Sequence, residues 1–584
     1  MTTTPNAQSV ADTAAPGSDA LVAKHKERLD AALAAIAGRG YWSAYPESPS
    51  PRVYGEGSAE AGRAAFDALL GKPFPLGQPG ADGWVGDEVS PYGLPLGVTY
   101  EHLSADALIG AATPALPRWR AAGPDVRAAV CLEIIDRINA RSFELAHAVM
   151  HTSGQAFVMA FQAGGTHAQD RALEAVAYAY AEQTRHADTA VWEKPQGKRP
   201  PLRMEKTFTP VPRGIALVVG CTTFPTWNAY PGLFASLATG NAVIVKPHPG
   251  AVLPLAITVA VARDVLAENG FDPNTVLLAA EAPGERLAAV LAVRPEVKII
   301  DFTGSTAFGN WLEENARQAR VYTEKAGVNM VLIESTSDYA GMLANLAFSL
   351  VLYSGQMCTT PQDLLVPATG IDTDQGHKDV AEIAADLGAA IDSLLGEDAK
   401  AVELLGAIVN DGVLGRLDAA AARASGDGRV AIPSRTVSHP AFSGARVRTS
   451  LVISVTTAPD GDAGEIASEC FGPVSYLVST PDAAASVEVF RQVTGAKGAL
   501  TAGVYSTGEG YLAAVRDAAL DAGVALSENL TGGVYVNQSA AFSDFHATGA
   551  NPAANASYTD GDFVAGRFRV VQSRRHLPPE AAGR

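Results

Sequence analysis

Between residues 215 and 301 four short apolar runs alternate with helix-like stretches, and this alternation restricts the fold more than any other feature of the chain. The runs at 215–219, 242–245, 275–278 and 297–301 have the length of strands; the first two are apolar throughout, and the others are interrupted only by Thr275, Lys298 and Asp301 rather than at every second position. A strand of that kind is buried on both faces, so the pattern predicts a parallel sheet with helices on either side, a candidate dinucleotide-binding domain over 210–323. No G-x-G-x-x-G follows the first strand, so the usual fingerprint of such domains is missing. Instead the fourth run leads into FTGSTAFG, where Gly304 and Gly309 bracket a turn into a helix. Free N–H groups at that helix start can face a pyrophosphate, although the same turn also serves as a plain helix cap.

At 584 residues the chain exceeds what one hydrophobic core supports and should divide into two or three domains. A net charge of -18 argues against nucleic acid or an anionic membrane surface as partner, which leaves small-molecule chemistry. The four cysteines, Cys131, Cys221, Cys358 and Cys470, form no C-x-x-C pair, and no histidine cluster has metal-ligand spacing, so neither a metal site nor a disulfide framework is expected. A reducing cytoplasm is the expected location. Residues 1–20 lack the features of a secretory signal and read as a disordered tail, and no run is long enough to span a membrane. Residues 21–37 read as a docked helix, and the Pro- and Gly-rich stretch 41–100 as irregular structure wrapped on a larger body. Cys131 falls on the apolar stripe of the next helix with Ile134, Ile135 and Ile138.

Residues 354–362, SGQMCTTPQ, place Cys358 among small polar residues after an apolar run, as an exposed turn would; Glu324 lies upstream in VYTEKAGVNM. An isolated cysteine is most often a small buried hydrophobe. A thiolate that attacks a carbonyl and a carboxylate that activates the water breaking the resulting thioester together suit oxidation of an aldehyde to an acid. Six blocks in one order then resemble the aldehyde dehydrogenase superfamily over roughly residue 125 to the C-terminus: PTWNAYP, AVIVKPHP, DFTGST, TEKAGVNM, GQMCTTPQ and SECFGPV. The wording TTFPTWNAYPG and the long N-terminal extension are similar to the branch tied to bacterial phenylacetic acid degradation, the PaaN type.

The resemblance implies an α/β fold with a Rossmann-type parallel-sheet cofactor domain, an αβ catalytic domain over 324–526 and a small oligomerisation element. The segment 192–209 would be an oligomerisation hairpin, 21–191 an extension packed on the cofactor domain, and 527–584 a return to that domain ending in a strand, FVAGRFRVVQSRR, that pairs across a subunit interface in a homodimer or homotetramer. Cys358 becomes the nucleophile, Glu324 the base for deacylation, and Asn228 a donor to the oxyanion. Trp227, Lys246, Phe302, Gly304, Ser305, Gly309, Glu469 and Phe471 become cofactor-binding residues. The substrate implied is an aldehyde, a coenzyme A-linked semialdehyde from phenylacetate ring opening; relatives that transfer the acyl group to coenzyme A tend to lack the carboxylate at Glu324. Pro249 stands three residues after Lys246, where NAD-preferring relatives often carry Glu, and the absence of that charge predicts NADP over NAD. The loop 543–549 departs from the family's glycine-rich wording; Phe542 and His546 there either line the aldehyde tunnel or anchor the loop.

Overall fold

The computed structural model of the protein describes residues 18–457 and 464–578. Most of the expected tail at 1–20 therefore lies outside the described residues. Helix α1 (Ser18–Gly38) covers the segment read as helical from 21. The stretch 41–100 is more regular than its composition implies, with two short helices and a small three-stranded sheet. Helix α2 (Ala168–Thr184) buries most of its length.

Strands β1 (Thr189–Gln196) and β2 (Arg199–Pro212) form an antiparallel hairpin, longer than 192–209, that turns at Gly197 with φ of 63°. Next come β3 (Ile215–Val219), helix α3 (Pro225–Ala238), β4 (Ala242–Lys246), helix α4 (Leu253–Glu268), β5 (Val276–Leu278), β6 (Val297–Thr303), helix α5 (Thr306–Asn315) and β7 (Arg320–Glu324). The five strands make one parallel sheet in the order β7-β6-β3-β4-β5. Every residue of β3 and β4 is buried, which is why these runs carry no polar alternation. Glu88 of the extension docks on this domain: its carboxylate accepts from the Val252 and Leu253 amides at the start of α4, and from the Tyr100 hydroxyl. Two otherwise unpaired N–H groups of the helix start are satisfied in this way.

The chain then enters a seven-stranded sheet through β8 (Met330–Ile333), helix α6 (Tyr339–Val351), β9 (Asp363–Pro367), β10 (Val430–Ile432), β11 (Leu451–Thr456), β12 (Val474–Thr480), β13 (Thr501–Tyr505) and β14 (Ala525–Glu528). The order is β10-β11-β12-β9-β8-β13-β14, parallel except for the β10–β11 pair. Strand β15 (Phe568–Leu577) completes the hairpin sheet in the order β15-β2-β1. The tail strand pairs antiparallel along its whole length with β2 of its own chain, Phe568 opposite Pro212 through Leu577 opposite Arg203, and forms the outer edge of this sheet. Its period-two pattern encoded a strand but carried no information about which strand it meets.

Just before β15, Arg567 is fully buried and grips Asp301 of β6 through both carboxylate oxygens, at 2.5 and 2.8 Å, while also donating to Ser236 of α3 at 2.8 Å. Gly232 of α3 lies so close that a Cβ there would meet the Asp301 carboxylate carbon at 2.4 Å. These contacts seat α3, which carries Trp227 and Asn228, directly on the sheet.

Candidate active site

A cleft of about 750 Å³ opens where the C-terminal ends of β3, β4, β6 and β7 face the loop after α6. Ligands of parallel sheets bind at that edge because helix starts and loop amides converge there. Cys358, Glu324, Asn228, Lys246, Phe302, Gly304, Ser305, Glu469 and Phe471 all line it. Trp227 and Gly309 do not. The Trp227 ring turns the other way, edge-on to His546 at 4.6 Å, because the helix puts it on a different face from Asn228. Gly309 sits inside α5, where a Cβ would meet the Lys325 side chain at 2.6 Å; it admits that chain instead of touching the cleft.

Cys358 is presented by an unusual turn. Tyr353, Ser354 and Gly355 are successively left-handed, with φ of 53°, 50° and 64°. Non-glycine residues there cost on the order of 1–3 kcal/mol each, so the surroundings must hold them. The Tyr353 hydroxyl donates to Ser153 O, and the Ser354 hydroxyl to Leu405 O and Arg448 O, both at 3.0 Å. Gly355 is required because a Cβ would stand 2.6 Å from Gly472 O. Beyond the turn, the Asn329 amide donates to Cys358 O at 2.8 Å and Thr360 O at 3.1 Å, and its oxygen accepts from the Leu500 and Thr501 amides. One side chain thus staples the nucleophile loop to the start of β13.

Glu324 is the last residue of β7 and is buried. One carboxylate oxygen accepts from the Asn228 amide at 2.8 Å, the other contacts His546 Nε2 at 3.1 Å, and that same nitrogen lies 3.8 Å from Cys358 Sγ. Burial alone would raise the Glu324 pKa, but His546, the Cys358 thiol and Asn228 together hold it below the ordinary range. Burial and the charge of Glu324 push the Cys358 thiol well up. The negative charge of Glu324 therefore disfavours a resting thiolate beside it. Cys221, on the loop after β3, lies 3.5 Å from Asn228 Oδ1 and is itself raised to about 11 by burial.

Sequence reasoning left His546 between two roles, and the structure puts its ring beside the Cys358 thiol. Phe542 does not line the cleft: it is fully buried edge-on to Trp42 of the extension at 4.7 Å. Cys470 is half-buried, and its backbone amide donates to Gln362.

The rest of the cleft suits an adenine dinucleotide. Ser305 caps α5 by accepting from Phe308 N, and the space above Gly304 is tight, since a Cβ there would lie 2.7 Å from the Phe302 ring. Glu469 is raised to about 7, chiefly by burial, with the Glu324 charge adding to the effect. At the far end the Lys246 ammonium is not beside an uncharged position. Glu281, on the loop after β5, forms an ion pair with it, and the second Glu281 oxygen accepts from Leu287 N at 2.8 Å. The premise drawn from Pro249 is corrected on this point. Glu281, 35 residues after Lys246, supplies a carboxylate beside the ammonium, and the pairing of β4 with β5 brings it there.

The aldehyde dehydrogenase family model matches residues 99–550, spanning the five- and seven-stranded sheets and every residue that lines the cleft. The chain belongs to the aldehyde dehydrogenase family. This aldehyde dehydrogenase is 57% identical to a structure described as an NAD-dependent aldehyde dehydrogenase from Burkholderia multivorans, with a TM-score of 0.93 over 96% of this chain and 100% of that one. It is 26% identical to vanillin dehydrogenase of Pseudomonas fluorescens over 64% of this chain and 72% of the relative. With benzaldehyde dehydrogenase [NAD(+)] of Pseudomonas putida the identity is 25% over 47% of this chain and 52% of the relative. A 1-pyrroline-5-carboxylate dehydrogenase from Thermus with bound NAD shares the fold at a TM-score of 0.69 and 20% identity. No helix among the described residues is long and apolar enough to cross a membrane.

Proposed function

We propose that this aldehyde dehydrogenase oxidises its aldehyde to the free carboxylic acid through a covalent intermediate on Cys358. The observation that carries the reading is the convergence of Cys358, Glu324 and Asn228 at the inner end of the cleft. Sγ attacks the carbonyl carbon while its proton passes to Glu324. The Asn228 amide and the Cys358 backbone N–H face the resulting oxyanion; losing one such donor typically costs ~3 kcal/mol of barrier. For that, Asn228 must release Glu324, to which it is bonded in the resting site. A nicotinamide dinucleotide held in the cleft would supply the hydride acceptor that turns this adduct into a thioester. Glu324 then releases the thiol proton to solvent and, ionised again, takes a proton from the water that hydrolyses the thioester left on Cys358. Presence of that carboxylate favours hydrolysis over transfer to coenzyme A.

Lys246, Glu281, Phe302, Gly304, Ser305, Glu469 and Phe471 would hold the dinucleotide. The NADP preference expected from Pro249 gives way to NAD, because Glu281 sets a negative charge where a 2′-phosphate would have to lie, and its free lone pairs suit ribose hydroxyls. The Burkholderia multivorans relative, described as NAD-dependent, supports that choice. For the physiological aldehyde we favour a coenzyme A-linked semialdehyde of phenylacetate degradation, on the wording of residues 222–232 and the extension. A homodimer or homotetramer is supported by the hairpin sheet, where Val191, Leu202, Val570 and Val571 are exposed apolar side chains.

A panel of aldehydes assayed for NADH formation with and without coenzyme A tests the reading, alongside Cys358→Ala. The variant should bind NAD and lose turnover. Sustained oxidation by Cys358→Ala, or an absolute requirement for coenzyme A, would overturn it.

A further inference from the structure

We propose that His546 is a third member of the Cys358–Glu324 pair, a positioning residue that keeps the Glu324 carboxylate ionised and aimed at the cysteine through both halves of the reaction. The proposal rests on the function just given and adds to it a residue outside the Cys–Glu–Asn set.

Nε2 of His546 is 3.1 Å from Glu324 Oε1 and 3.8 Å from Cys358 Sγ, and all three ligand atoms lie within 4.8 Å of one another. An N–H at Nε2 donates to the carboxylate at hydrogen-bond distance, whereas the sulfur lies beyond a close contact with it. The ring is buried and cannot turn away. Trp227 packs against it edge-on, and its backbone exchanges both hydrogen bonds with Tyr558, at 3.0 and 2.9 Å. Arg171 extends the same scaffold: its guanidinium stands over the Trp227 ring and donates to Tyr558 O and Asp544 O. The groups of this neighbourhood that carry charge or titrate are thus Glu324, Cys358, Tyr558 and Arg171, with Glu174 paired to Arg171 at 2.7 Å and Cys221 and Glu469 near Cys358.

Without this donor, Glu324 would keep the Asn228 amide and the Cys358 thiol as partners. Both are needed elsewhere once an aldehyde enters, Asn228 for the oxyanion and the thiol for attack. His546 is the partner that the reaction does not consume. It therefore holds the carboxylate in place during acylation, and it favours return of the ionised form after the thiol proton has been passed on, which deacylation requires.

Three variants test this. His546→Phe keeps a ring against Trp227 and removes the donor; His546→Gln keeps a donor at about the Nε2 position; Glu324→Gln supplies a background with no carboxylate to hold. In steady-state NADH formation, His546→Phe should lower kcat about 10-fold or more at neutral pH with KM for NAD little changed. The acidic limb of its kcat profile should move up by about one pH unit, while His546→Gln restores most of both. In the Glu324→Gln background His546→Phe should add little further loss. A loss that is equal at every pH, a loss shared equally by Phe and Gln, or full additivity with Glu324→Gln would overturn the proposal. If His546→Phe does not fold, His546→Asn, too short to reach Glu324, takes its place under the same criteria. Cys358→Ala run in parallel separates the two claims: if it stays active the cysteine mechanism itself fails, and if it is dead while the histidine criteria are unmet only the role of His546 fails.

Discussion

Glu281→Gln should turn this enzyme toward NADP. Lys246 and Glu281 are paired with only 5% and 11% of their side chains exposed, so the charges are poorly screened by solvent. A 2′-phosphate drawn to the Lys246 ammonium would come within about 5 Å of the carboxylate, and at an effective dielectric near 20 two unit charges at that separation repel by roughly 3 kcal/mol. Replacing the carboxylate by an amide of the same shape removes that repulsion, and leaves Lys246 without its counter-ion, which increases its demand for an anion. Burial already lowers the Lys246 pKa, and the loss of Glu281 lowers it further, which offsets part of the gain. The net expectation is a rise of about 10- to 100-fold in the ratio of kcat/KM for NADP to that for NAD, each tenfold step being ~1.4 kcal/mol. Initial rates with one aldehyde and both cofactors measure it. An unchanged ratio, or a wild-type enzyme that already prefers NADP, would refute the role given to Glu281.

Glu324→Gln should give an initial burst of NADH followed by a stall, because hydride transfer survives and thioester hydrolysis slows; stopped-flow absorbance reads it, and an unchanged steady-state rate would remove Glu324 from deacylation. The depressed pKa of Glu324 means that it contributes stability above its unfolded value, near 4.5, and that this contribution is lost as pH falls through the folded value. Acid unfolding of Glu324→Gln should therefore show a shallower dependence on pH below about 4.5 than the wild type. Arg567→Leu leaves Asp301 as an uncompensated buried charge and should cost about 3–5 kcal/mol, read from denaturant midpoints at constant slope. Deleting 568–577 bares the edge of β2 and should change the assembly state seen by light scattering, either to a smaller species or to aggregates; the same oligomer as wild type would count against that sheet as an interface.

The parallel sheet at 215–324 was legible because strands covered on both faces must be apolar throughout, and no distant information is needed to see that. Cys358, Glu324 and Asn228 were legible as short motifs in a fixed order, which is local chemistry written in local residues. Their arrangement was not. That Glu281 would meet Lys246 depends on β4 and β5 lying side by side in the sheet, and that His546 would meet Glu324 depends on a loop pinned by Arg171 from a helix 373 residues away from Asp544. The tail strand shows the same limit: its alternation specified an extended conformation, while its pairing with β2 is a matter of backbone hydrogen bonds that any strand can make. A sequence encodes periodicity and turn chemistry residue by residue. Which charges end up side by side is decided only when the sheets close and solvent leaves.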